Sequence, residues 1–207
     1  MQFEALARRV ARPTLWFLAI LPVLSIGYTV LLHGLGANPI REFEHLTGQW
    51  ALRFLAASLS VTPIIRWSRW GWLIAQRRFL GLTAFVWATV HLGAYVGLDM
   101  FFNVHDMLED IVKHPYVTVG MLTFVLLIPL AVTSTRASVR RLGGRRWQKL
   151  HRLVYVAAVT GTTHYLWAVK KDTLLPILYF GIFATLLGIR LIWRRGRTRT
   201  PNRNATT

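Results

Sequence analysis

Three histidines fall inside apolar stretches of membrane length. His91 lies in LGLTAFVWATVHLGAYVGL, and His151 and His164 stand near the two ends of LHRLVYVAAVTGTTHYLWAV. An imidazole in hydrocarbon is costly, so it usually faces a bundle interior and has a role there. Imidazole is also an axial ligand of haem iron. His91 comes eight residues before Asp99, and His164 six before Lys170. If both stretches run outward as helices, the two rings differ in depth by only ~3 Å at ~1.5 Å per residue. A bis-histidine b-type haem between them is then geometrically natural. The competing reading is a pair of interhelical hydrogen bonds to carbonyls.

His151 is thirteen residues from His164, which is ~20 Å along one straight helix but ~140° around it. That distance suits a second cofactor near the other membrane face. The angle does not, unless the helix is irregular, for example at a π-bulge near Gly161. The residues facing His151 in depth are Arg77 and Arg78, not a histidine. His151 is therefore either a ligand of a second cofactor or an interfacial residue. The remaining histidines, His33, His45, His105 and His114, lie in or beside loops and are expected to be solvated.

The elements that must position these groups follow from hydropathy. The chain has 207 residues, 54% of them hydrophobic and 16% charged, with 25 Lys and Arg against 8 Asp and Glu. About 20 apolar residues span a bilayer as a helix. Six stretches approach that length, at about 14–33, 47–65, 79–98, 116–135, 151–169 and 174–193. The expected fold is an all-α polytopic six-helix bundle. Residues 1–13 form a basic N-terminus, 14–193 the transmembrane domain, and 194–207 a basic polar tail.

Arginines crowd the N-terminus, the 66–78 and 136–149 connections and the tail. The opposite loops carry most of the acids. Both termini are therefore expected in the cytoplasm. The basicity reads as membrane topology and attraction to anionic lipid rather than nucleic-acid binding. With no cysteine, disulfides, iron–sulfur clusters and covalently attached c-type haem are excluded. No G-x-G-x-x-G occurs, so no nicotinamide site is visible.

Two further features could bear on a cofactor. Arg53, alone among the charges well inside the second span, either snorkels to the surface or pairs with a haem propionate. Arg77 and Arg78, with the basic loop RASVRRLGGRRWQKLHR, either mark topology or form a docking surface for a flavin phosphate or an acidic reductase. A proton relay or transporter would show intramembrane carboxylates or repeats. Neither is seen here. A purely structural anchor would leave three buried histidines without a purpose.

The chain resembles the ferric reductase-like transmembrane domain family, on the branch that serves as haem-binding membrane subunits of bacterial methionine-sulfoxide reductase systems. The resemblance rests on HGLGANP at 33–39, HLTGQWALRFL at 45–55, RRFLGLTAFVWATVHL at 77–92, HPYVTVG at 114–120, LGGRRWQKLHRLVY at 142–155 and HYLWAVK at 164–170. It implies an inner-membrane electron-transfer subunit with no catalytic substrate site of its own. His91, His164 and His151 would be haem ligands, with one haem b or two, and FMN would be a further cofactor. The quinone pool or a cytosolic flavin reductase would be the donor, and a periplasmic MsrP-like molybdopterin enzyme the acceptor. Unlike full-length ferric reductases, the chain has no C-terminal FAD/NADPH domain and no second histidine on its third span.

Overall fold

The computed structural model describes residues 2–32, 34 and 36–197, with side chains described for 13–32, 34 and 36–193. His33, the tail beyond residue 197 and the side chains of the basic N-terminus lie outside the described residues. No strand occurs among those described. The helices are α1 (Gln2–Leu32), α2 (Pro39–Ser68), α3 (Ile74–Ala94), α4 (Val104–Lys113), α5 (Pro115–Val132), α6 (Arg136–Leu142), α7 (Gly144–Leu150), α8 (Leu153–Ala168) and α9 (Leu174–Arg197).

Among the described residues, four stretches are long and apolar enough to cross a membrane, namely Pro13–Leu32, Gly71–Asp99, Pro115–Val132 and Leu174–Trp193. α2, which carries Arg41, Glu42, Glu44, Arg53 and Arg66, is not among them. α8 is not because it has 16 residues.

α2 is the central element. Its Leu52, Phe54, Leu55 and Leu59 are buried against Ala84 and Trp87 of α3, Ala158 and Tyr165 of α8, and Phe183 of α9. α8 approaches closely because it presents small residues: Ala157 and Ala158 are fully buried, and a Cβ on Gly161 would meet Thr123 Cγ2 at 3.3 Å and Leu52 Cδ2 at 3.5 Å. Such residues allow the backbone proximity on which membrane helix packing depends. The Thr123 hydroxyl donates to Thr160 Oγ1 at 2.8 Å across the same α5–α8 seam. α1 is held at the periphery by Trp50 Nε1 donating to Ser25 Oγ at 3.1 Å and by Trp16 against the Phe79 ring.

Several sequence expectations change in detail. α2 starts at Pro39, well before the expected span. Asn38 caps it by accepting from the Arg41 N–H, and Pro39 fits its first turn. Arg41, Glu44 and His45 are thus helical, not loop residues. The expected loop 99–115 contains α4, and the basic loop contains α6 and α7. His151 does not lie on α8. It forms the C-terminal cap of α7, and a turn at 151–152 separates it from α8. The straight-helix separation and angle from His164 therefore do not apply. No π-bulge occurs at Gly161; the π-turn is at Tyr95–Asp99, where α3 ends.

Candidate functional site

His91 on α3 and His164 on α8 face one another, with ring centroids 6.1 Å apart and planes inclined at 66°. Both are half-buried in the wall of a cavity of about 420 Å³ between α2, α3, α5 and α8. Each ring is held the same way. His91 Nδ1–H donates to the Glu44 carbonyl of α2 at 2.9 Å. His164 Nδ1–H donates to the Tyr116 carbonyl of α5 at 2.7 Å. A carbonyl only accepts, so Nδ1 carries the proton and the Nε2 lone pair is left for a metal.

The carbonyls are reachable because of two glycines. In a helix, residue i+4 stands over the carbonyl of residue i. Gly48 follows Glu44 by four, and Gly120 follows Tyr116 by four. A Cβ on Gly48 would lie 3.3 Å from His91 Nδ1, and one on Gly120 2.7 Å from His164 Nδ1. Each glycine is the opening through which an imidazole reaches a neighbouring helix.

This arrangement fits a bis-histidine metal centre. With nitrogens about 2 Å from a first-row metal and centroids roughly 1 Å further back, two axial imidazoles sit about 6 Å apart by centroid, close to the spacing observed. The cavity also lies within the ~300–1,000 Å³ range of cofactor sites.

Polar groups gather at one end of this cavity: Asn38, Arg41, Glu44, His45, Tyr95, Asp99, Asp110 and Tyr116 all line it. Tyr95 OH donates to Asp110 Oδ2 at 2.8 Å, and His114 Nδ1 bonds Asp110 Oδ1 at 2.7 Å. Burial, with added repulsion from Asp99 and Asp110 and partial relief from Arg41, pushes the Glu44 carboxyl up to about 7. Its buried Oε1 has no hydrogen-bond partner among the described residues. His45 is half-buried rather than solvated, and burial lowers its pKa. His105 and His114 are exposed.

Arg53 stands behind the wall. Its Nε donates to Tyr179 OH at 2.9 Å, its Nη2 donates to Gln49 Oε1 at 3.1 Å, and its guanidinium lies 4.4 Å over the Trp50 ring. Arg41, which the sequence reading did not single out, is the arginine that lines the cavity.

A second cavity, of about 560 Å³, brings together the other candidate residues. Its wall includes Arg77, Arg78, Arg136, Arg152, Trp147 and His151, and none of its lining residues is an Asp or Glu. His151 stacks on Trp147 at 3.8 Å, and its Nε2 lies 3.0 Å from Thr133 Oγ1. Thr133 Oγ1 also lies 2.5 Å from the Pro129 carbonyl. Among the described residues, His151 is the one histidine in its lining.

The two cavities share Leu55 and Leu127 as a partition. Phe124 in the first wall stacks on Phe85 in the second, with centroids 5.6 Å apart and planes at 19°.

A helical membrane scaffold with paired imidazoles hung from backbone carbonyls is a cofactor-binding domain of the transmembrane type. Residues 47–162 match the family described as ferric reductase like transmembrane component. Over 181 residues the chain is 50% identical to the protein-methionine-sulfoxide reductase heme-binding subunit MsrQ of Herminiimonas arsenicoxydans, covering 86% of this chain and 83% of that one. It is 46% identical over 199 residues to the MsrQ subunit of Rhodospirillum rubrum, covering 94% and 95%. It is 44% identical over 197 residues to that of Azospira oryzae, covering 94% and 84%. The chain belongs to the ferric reductase-like transmembrane family and, within it, to the MsrQ subunits, and it is a multi-pass membrane protein.

Proposed function

We propose that the chain is the b-type haem electron-transfer subunit of a methionine-sulfoxide reductase system in the bacterial inner membrane. Electrons enter from the quinone pool or a cytosolic flavin reductase and leave to a periplasmic MsrP-like molybdopterin enzyme that repairs oxidised proteins. Residues 14–193 form the domain, with six spans and both termini cytoplasmic. The His91–His164 cavity then lies toward the periplasm and the arginine-lined cavity toward the cytoplasm. One observation carries the reading: His91 and His164 face one another at 6.1 Å, each with Nδ1 committed to a carbonyl.

Haem b bound between them supplies one-electron chemistry. His91 and His164 would hold its iron through Nε2, with Gly48 and Gly120 keeping their rings seated. Arg41 and Asn38 at the mouth are placed to receive carboxylates, and Leu55 and Leu127 exclude water from the partition. On the cytoplasmic side Arg77 and Arg78 present the cationic wall for the phosphate of FMN, with Trp147 and His151 as the flat surface beside it. The absence of carboxylates from that wall favours an anionic ligand, and its single histidine favours one haem in the chain rather than two.

The test is a dithionite-reduced minus oxidised spectrum of the detergent-purified protein with pyridine-haemochrome stoichiometry. About one b-type haem per chain, lost in His91→Ala and in His164→Ala but kept in His151→Ala, is expected. A folded, haem-supplemented preparation that takes up no haem overturns the reading.

A further inference from the structure

We infer that α4 is an interfacial helix whose apolar stripe lies in the lipid leaflet beside the mouth of the His91–His164 cavity. α4 divides cleanly around its axis. At 100° per residue, Val104, Met107, Leu108, Ile111 and Val112 fill one arc, and His105, Asp106, Glu109, Asp110 and Lys113 fill the other. Only one edge of the apolar arc faces the protein: Met107 and Ile111 are half-buried. On the other edge Val104, Leu108 and Val112 are 61%, 60% and 83% exposed, and no described residue covers them.

The turn into α4 extends the same surface. Phe101 and Phe102 have φ of 46° and 60°, a left-handed backbone that bulky side chains rarely adopt. The turn is nonetheless firmly tied. Phe102 N–H donates to the Val96 carbonyl at 2.8 Å, and the Asn103 side chain accepts from the His105 and Asp106 N–H groups. Both rings remain exposed, at 76% and 73%. Backbone strain that keeps two phenyl rings facing outward has a rationale if they enter lipid and none if they meet water.

Continuity names the occupant. The turn follows directly on the membrane-length stretch Gly71–Asp99, and Pro115–Val132 begins two residues after α4 ends. Val90 and Leu98 before it, and Leu122 and Val125 after it, are exposed apolar residues on those stretches, which a bilayer must cover. The stripe prolongs that covered surface at the level where aromatic residues gather. The polar arc is turned the other way, with Lys113 paired to Glu109 and Asp110 tied to Tyr95. This charge-segregated pattern is that of a helix lying in the interface plane.

The absence of cysteine makes the test direct. Leu108→Cys, Val112→Cys and Glu109→Cys are each nitroxide-labelled in phosphatidylcholine–phosphatidylethanolamine vesicles. Power saturation then compares collision with oxygen, which partitions into lipid, and with nickel ethylenediaminediacetate, which does not; Val125→Cys serves as the lipid-facing reference. Labels at 108 and 112 are expected to show an oxygen-to-nickel accessibility ratio several-fold above that at 109 and approaching that at 125. Ratios at 108 and 112 equal to that at 109 would mean that the stripe stands in water as a protein-docking face. Low accessibility to both reagents would mean that a second protein surface covers it. Either result overturns the proposal. None of these outcomes depends on haem content, so the inference and the proposed function fail separately.

Discussion

Gly120 stands one helical turn beyond Tyr116, and a Cβ there would lie 2.7 Å from His164 Nδ1, the atom that donates to the Tyr116 carbonyl. Gly48 bears the same relation to Glu44 and His91, with a looser approach of 3.3 Å. An alanine in place of a helical glycine ordinarily stabilises by up to ~1 kcal/mol. Here the clash with the ring decides the sign. Gly120→Ala is expected to remove most of the haem from the purified protein, and Gly48→Ala to lower occupancy partially. Haem-to-protein stoichiometry by pyridine haemochrome measures both.

Arg41 and Arg53 separate by the same logic. Arg41 lines the cavity, while Arg53 is committed to Tyr179 and Gln49. Removing a cation near a site that gains an electron disfavours the reduced form. Arg41→Ala is expected to lower the midpoint potential, by an amount on the order of 20–60 mV given ~59 mV per tenfold for a one-electron couple. Arg53→Ala should chiefly lower thermal stability, because it removes the donor to Gln49 Oε1 and to Tyr179 OH. A spectroelectrochemical titration beside a melting curve distinguishes the two.

Glu44 gives the chain a pH dependence of its own. Its folded pKa of about 7 lies above the ordinary carboxyl value of 4.5. Between those values the folded state holds a proton that the unfolded state has released, so stability falls as pH rises across that window and levels off above it. Thermal unfolding in detergent should show a transition temperature that declines from pH 5 to pH 7. Glu44→Gln, which cannot ionise, should flatten that decline.

The arginine-lined cavity predicts an anion dependence. Arg77→Ala with Arg78→Ala should weaken FMN binding by roughly tenfold or more, as loss of charge-assisted phosphate contacts implies. The remaining affinity should respond less to salt. Fluorescence titration of the flavin at two ionic strengths reads both effects, and unchanged affinity would remove FMN from this cavity.

Much of the scaffold was legible in the sequence because bilayer thickness imposes a length on apolar runs, and depth alone paired His91 with His164. The fine positioning was less visible. Gly48 and Gly120 sit in stretches where small residues are ordinary packing devices, and only the four-residue offset from a carbonyl in use sets them apart. Asn38 and Pro39 carried a helix-start signal that brings Arg41 and Glu44 onto α2. Asn103, followed by apolar residues at 104, 108 and 112, carried another. A loop drawn to hydropathy alone passes over both. His151 was misplaced because the run 151–169 is apolar almost from its start, and hydropathy does not register the turn that separates α7 from α8.

Each imidazole is suspended from a helix other than the one that bears it: α3 carries His91 but α2 steadies it, and α8 carries His164 but α5 steadies it. Four helices therefore set the attitude of two rings. Sliding α5 along α8 by a fraction of an ångström would twist one ligand against the other, and the ligand field of any metal between them would change. The colour of such a centre would then act as a gauge of helix register, reporting how lipid, partner or mutation loads the bundle from a distance.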